Sequence, residues 1–256
     1  MAIKQTAPLI ARFAALSLLW TMGGGAYAST LAPAGVAAQV LFNFPPGINI
    51  GTFGTFPLSG PGGFLQFSSV GEPGPFAAAE AHVAPGFFGR SSGQIIYSME
   101  ILGPPGEVPV SVAVAGGASG SSSTQPFTSF ALKALWRIDD VNLGLAQVFA
   151  EGIETPALQG SFSESFGHSV DLMLTAGHIY RVTLTADAAA GAVDSDSQTF
   201  AAAFIDPVFS FGPGIGPEYT FHFSEGIGNS PVPLPGTLLL IAPALAGLLR
   251  FVRATR

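Results

Sequence analysis

The chain has 256 residues, 48% of them hydrophobic and only 10% charged, with 33 Gly, 21 Pro and 22 Phe. It contains no cysteine, which excludes thiol catalysis, disulfides and Cys-ligated metals. The net charge is −7; sixteen acids against Arg90, Lys133, Arg137 and Arg181 leave residues 72–225 at −12, and without a basic face a nucleic-acid partner is excluded.

Residues 1–28 read as a secretory signal peptide. Lys4 and Arg12 supply the charged start, 13–22 is an apolar run of ten residues, and Gly23-Gly24-Gly25 ends the helix. Ala26-Tyr27-Ala28 satisfies the small-x-small rule, so signal peptidase is expected to cut between Ala28 and Ser29 after passage through the Sec translocon. Ten apolar residues are too few for a comfortable membrane span.

The body, 29–229, is a succession of short strands and Gly/Pro turns. Apolar residues alternate with polar ones at 95–101 (Ile95, Tyr97, Met99, Ile101), 110–114, 130–138 (Phe130, Leu132, Ala134, Trp136, Ile138), 180–187 (Tyr180, Val182, Leu184, Ala186) and 219–223 (Tyr219, Phe221, Phe223). This is the period of a half-buried antiparallel strand. Further strands are expected at 40–44, 63–70, 76–83, 145–150, 170–175 and 198–205. Turns are expected at 57–63, 71–75 and 103–106, and the Gly/Ser-rich 116–125 reads as a surface loop. Ten or more such strands with no amphipathic helix between them predict an all-β fold, a β-sandwich of jelly-roll-like form. A signal helix is expected before the body and a transmembrane helix after it.

Catalytic and metal-ligating patterns are weak. His82, His168, His178 and His222 share no H-x-H or H-x-x-x-H spacing, no G-x-S-x-G elbow is present, and His222 falls on the polar side of its strand. Asp139-Asp140 and Glu151 with Glu154 are the candidates for paired glycosidase carboxylates, but solvated loop acids are commoner. Asp194-Ser195-Asp196-Ser197 lacks the glycine and distal glutamate of a calcium loop. No catalytic residue, metal site or cofactor is assigned. Phe87-Phe88, in a Gly-flanked loop, is the one hint of an aromatic surface for sugar.

Residues 230–256 form a tail of three parts. Val232-Pro233-Leu234-Pro235 is a hinge whose prolines lack donors and push their neighbours into extended geometry. An uncharged apolar run follows from Gly236 to Leu249, and Arg250, Arg253 and Arg256 close the chain. Residues 236–252 as a helix reach about 25 Å at ~1.5 Å per residue, the short limit of a span, with the arginines held on the cytoplasmic side. A buried C-terminal helix is the alternative, but this one would be apolar on nearly every face.

The tail resembles the PEP-CTERM sorting signal of Gram-negative bacteria, in its V-P-L-P variant: Val232, Pro233 and Pro235 match, with Leu234 in place of the usual Glu. Gly236 stands where Ala is usual, and the arginines are spaced rather than contiguous. The resemblance implies an exosortase as partner, cleaving near the motif and passing the body to the cell surface or exopolysaccharide matrix. Two body stretches, 174–182 and 219–229, are similar to segments of such proteins and carry no known chemistry. The expectation is an exported, non-enzymatic surface or matrix protein, transiently anchored in the membrane. A carbohydrate-binding module acting on extracellular polysaccharide is the alternative, and a secreted hydrolase comes third.

Overall fold

The computed structural model describes residues 31–42, 47–50, 53–122, 128–192 and 198–229. The predicted signal peptide with Ala26, Ala28 and Ser29, the tail with its sorting motif and arginines, and the 194–197 acidic stretch lie outside the described residues. No helix among the described residues is long and apolar enough to cross a membrane.

Thirteen strands are described, in two antiparallel sheets. The first holds β1 (Gly35–Phe42), β2 (Gly47–Ile50), β6 (Phe87–Leu102), β8 (Ser129–Asp140), β9 (Ala146–Glu154), β11 (Ile179–Ala192) and β13 (Thr220–Phe223). Their order is β2-β1-β6-β11-β8-β9, with β13 continuing the line of β1 along the free side of β6. The second holds β3 (Gly54–Gly60), β4 (Gly63–Val70), β5 (Phe76–Val83), β7 (Glu107–Ser121), β10 (Ser161–Thr175) and β12 (Thr199–Phe211), in the order β10-β7-β12-β5-β4-β3. The chain from β5 to β12 is nested. β8 pairs with β9, β7 with β10, β6 with β11 and β5 with β12, so the stretch folds back on itself about the β8–β9 turn.

The sheets meet through the residues that the alternation selects. Ile95, Tyr97, Met99 and Ile101 of β6, Leu132, Ala134, Trp136 and Ile138 of β8, and Val182, Leu184 and Ala186 of β11 are buried against Val108, Val110, Val112 and Val114 of β7 and the alanines of β5 and β12. Small residues let large ones in. The ring of Phe67 on β4 fills the place a side chain at Gly93 of β6 would take, and Phe130 of β8 does the same at Gly120 of β7.

That packing explains where the chain departs from expectation. The Gly/Ser-rich 116–125 is not a loop over its first half: β7 runs on to Ser121, because its glycines and Ala118 form the floor under neighbouring rings. Phe87 and Phe88 open β6 instead of lying in a loop. Pro57 and Leu58, expected in a turn, belong to β3, an edge strand where a missing N–H is tolerated. The strand expected from 170 begins at Ser161.

Candidate functional site

The two outer faces differ in chemistry. All four described cations stand on the first sheet, each against a carboxylate. Arg90 pairs with Asp187, Lys133 Nζ lies 3.1 Å from Glu154, and Arg137 and Arg181 lie 2.6 and 3.3 Å from the two oxygens of buried Asp139. The hydrogen bond to Asp187, opposed in part by burial, raises the Arg90 pKa. The strands of the second sheet contain neither Lys nor Arg.

On that second face the register lines up one residue from each strand: Ser59, Phe64, His82, Phe200, Ser121 and Ser161 are successive partners across β3, β4, β5, β12, β7 and β10. Strands ~4.8 Å apart spread this row over roughly 24 Å. At its centre three rings stand side by side. The His82 centroid is 4.6 Å from that of Phe200 and 6.3 Å from that of Phe64. Glu80, two residues along β5 on the same face, holds the imidazole through a 2.6 Å contact from Oε1 to Nε2. The His82 side chain is 49% exposed, so its ring is a surface group held in place and not a core residue.

Beside the row lies an open cleft of about 260 Å³ whose walls include His82, Phe200, Gln198, Thr199 and Ser121. It is smaller than the ~300–1,000 Å³ of enclosed small-molecule sites, and suits one ring of a longer ligand lying over the sheet. Thr199 is turned inward, its Oγ1 donating to Gly191 O at 2.9 Å, and leaves Gln198 and Ser121 as the polar rim.

The acids that suggested catalysis are placed elsewhere and apart. Glu151 lies 3.1 Å from His168 across the open edge between the sheets, while Glu154, of opposite parity on β9, faces outward to Lys133. Asp139 and Asp140 are likewise neighbours pointing to opposite sides. Asp139 takes Arg137 and Arg181, and Asp140 takes His178 Nδ1 at 2.7 Å. A glycosidase needs its two carboxyls on one cleft, some 5–9.5 Å apart across a bond, and neither predicted pair meets that. His222 is nearly half exposed, 3.9 Å from Glu100. Among the described residues no three metal-capable side chains gather. Phe88 is exposed on the first sheet, away from the row.

Sequence reasoning missed Phe64, His82 and Phe200. They lie 18 and 118 residues apart along the chain, and only the strand pairing brings them together.

No protein-family model matches the chain, and no curated protein matches it. Among solved structures it is similar to one described as "CBM4 structure and function", at 13% identity over 57% of this chain and 94% of that one, with a TM-score of 0.22. It is also similar to a structure of infectious bursal disease virus, Gx strain, at 9% identity over 85% and 72% of the two chains, with a TM-score of 0.17. Scores of that size carry no argument for fold or ligand.

Proposed function

We propose that this is an exported, non-enzymatic surface or matrix protein whose body, a sandwich of jelly-roll type, binds a neutral extracellular polysaccharide on the outer face of its second sheet. The observation that carries the reading is the row Phe64–His82–Phe200. Aromatic faces carry negative charge density and pack against the weakly positive C–H face of a sugar ring. The neighbouring Gln66, Glu80, Gln198 and Ser121 offer donors and acceptors to its hydroxyls. With no cation on this sheet and Glu80 beside the row, an acidic polysaccharide would meet repulsion, which selects a neutral one. Export and sorting rest on the sequence: the signal peptide cut at Ser29, then recognition of Val232-Pro233-Leu234-Pro235 by an exosortase while residues 236–249 and the following arginines hold the chain in the membrane.

The binding reading is tested by affinity sedimentation of the full chain with a panel of insoluble neutral and uronic-acid polysaccharides. Retention on at least one neutral polymer is expected, and Phe200→Ala should weaken it tenfold or more, about 1.4 kcal/mol. A cross-strand pair is worth only ~0.2–1 kcal/mol, so this variant stays folded. Equal retention by wild type, Phe64→Ala and Phe200→Ala would refute the site. Mass spectrometry of the mature surface form tests sorting: a C-terminus intact through Arg256 overturns it.

A further inference from the structure

We infer that the turn between β8 and β9, residues 141–145, is a lipid-contacting tip that seats this pole of the sandwich on the membrane surface. The inference rests on the reading of residues 236–249 as membrane-inserted. The turn reads Val-Asn-Leu-Gly-Leu, without a charge. Leu143 is 66% exposed and Leu145 41%, with Val141 and Val148 beside them at 39% and 36%. Slack does not account for the exposure, because hydrogen bonds tie the turn to β8 and to the neighbouring β11. Asp140 Oδ1 accepts the Leu143 N–H at 3.1 Å, Asn142 Oδ1 accepts the Ile179 N–H at 2.8 Å, and the Val141 N–H donates to Ile179 O at 2.9 Å. Leu145 itself sits at a φ of 64°, a left-handed conformation that costs a branched side chain and that glycine or asparagine adopts more readily. The backbone is thus held in a shape that presents apolar side chains to the outside.

The occupant follows from where the chain goes next. Asn229 is clasped at this same pole, its side chain accepting the Phe209 N–H and donating to Phe209 O at 2.8 and 2.7 Å, near the end of β12. Six residues separate it from Gly236, where the apolar run starts. At full extension the seven Cα-to-Cα steps from Asn229 to Gly236 span at most about 25 Å. A membrane that receives residues 236–249 therefore lies within reach of this pole and not of the opposite one, where the Phe64–His82–Phe200 cleft opens. Glu107, Glu218 and Glu225 stand at the ends of the strands and loops on this pole, and the cations nearest the turn, Arg137 and Arg181, are both taken by Asp139, so the attraction is to the apolar interface of a zwitterionic bilayer and not to anionic headgroups.

The absence of cysteine makes single-site labelling clean. The full chain, bearing an environment-sensitive fluorophore at Leu143→Cys, Ala157→Cys at the opposite pole or Leu240→Cys in the apolar run, is reconstituted in phosphatidylcholine vesicles with and without a lipid-borne quencher. At least fivefold stronger quenching is expected at position 143 than at 157, unchanged when phosphatidylglycerol is added. Quenching at 240 but not at 143 overturns the inference and leaves the tail reading standing; quenching at neither overturns both. A severalfold gain with phosphatidylglycerol, or shielding at 143 that grows with protein concentration without quenching, also overturns it, in favour of headgroup attraction or a second copy.

Discussion

Gly93→Ala probes whether the two sheets are seated on one another through single side chains. A Cβ at this position would lie 2.4 Å from Cζ and 2.6 Å from both Cε atoms of Phe67, a fully buried ring on the opposite sheet. Carbon atoms rest ~3.5–4.0 Å apart, so the ring must retreat by about 1 Å or more into an interior with no slack. Overpacking of this kind costs ~1–3 kcal/mol, and three clashing ring atoms put the substitution near the upper end. Removing a glycine from a strand returns about 0.5–1 kcal/mol of backbone entropy. The net expectation is a loss of about 2 kcal/mol, or roughly 4–8 °C in Tm for a chain of this size. The assay is urea unfolding, with the slope checked for constancy, on Gly93→Ala, Phe67→Leu and the double variant. Leucine is shorter than the ring and leaves room for the methyl, so the double variant should be more stable than the sum of the single losses implies, by about 1 kcal/mol. A neutral Gly93→Ala, or strict additivity of the pair, would refute the interlocking of Phe67 with β6.

Ser224 is 2% exposed; its Oγ accepts the Ser98 N–H at 2.8 Å and donates to Ala32 O at 2.6 Å. Ser224→Ala strands that buried N–H and should cost about 1–3 kcal/mol, with limited proteolysis showing faster cleavage around Ala32. The phenols of Tyr97 and Tyr180 are raised above 10.0, in both mainly by burial, helped by the charge of Asp206 for the first and of Asp140 for the second, while hydrogen bonds to Thr175 partly offset the rise at Tyr180. Below the unfolded value of about 10 both states hold these protons and stability is intact; it falls as pH climbs from there through the folded values. Tyrosinate absorbance from these two residues should therefore appear together with loss of near-ultraviolet circular dichroism. Titration of all tyrosines near 10 in a protein that keeps its tertiary signal would contradict the burial of these rings.

What could be read from the chain was what repeats locally. Tyr180, Val182, Leu184 and Ala186 are buried while Arg181, Thr183 and Asp187 are half-buried, as their alternation requires, because β11 is flanked by strands on both sides and packed on one face; Thr185 alone departs from it, buried on the other face. The Gly/Ser run of β7 defeated the same logic. Its composition is that of a loop, and its strand character comes from Phe130, Phe166 and Phe204, which fill the room its glycines leave. Polar Ser161–Thr175 hid most of an edge strand, since one side of it faces water. The aromatic row was beyond local reading altogether. His82 offers no spacing to another ligand-like residue, and its neighbours Phe64 and Phe200 are fixed by two separate strand registers.

The nested pairing also bears on how the chain acquires its shape. Only the β8–β9 hairpin joins neighbouring parts of that core, whereas Val83 must wait for Thr199 before β5 finds β12. Closing such distant contacts makes folding slow and leaves the outer strands unpaired until late. A polypeptide of this wiring that threads a translocon from its amino end cannot complete itself behind the pore until β12 has emerged. Were the chain exported as proposed, the β5–β12 pairing would close only after Thr199 had followed Val83 through the pore.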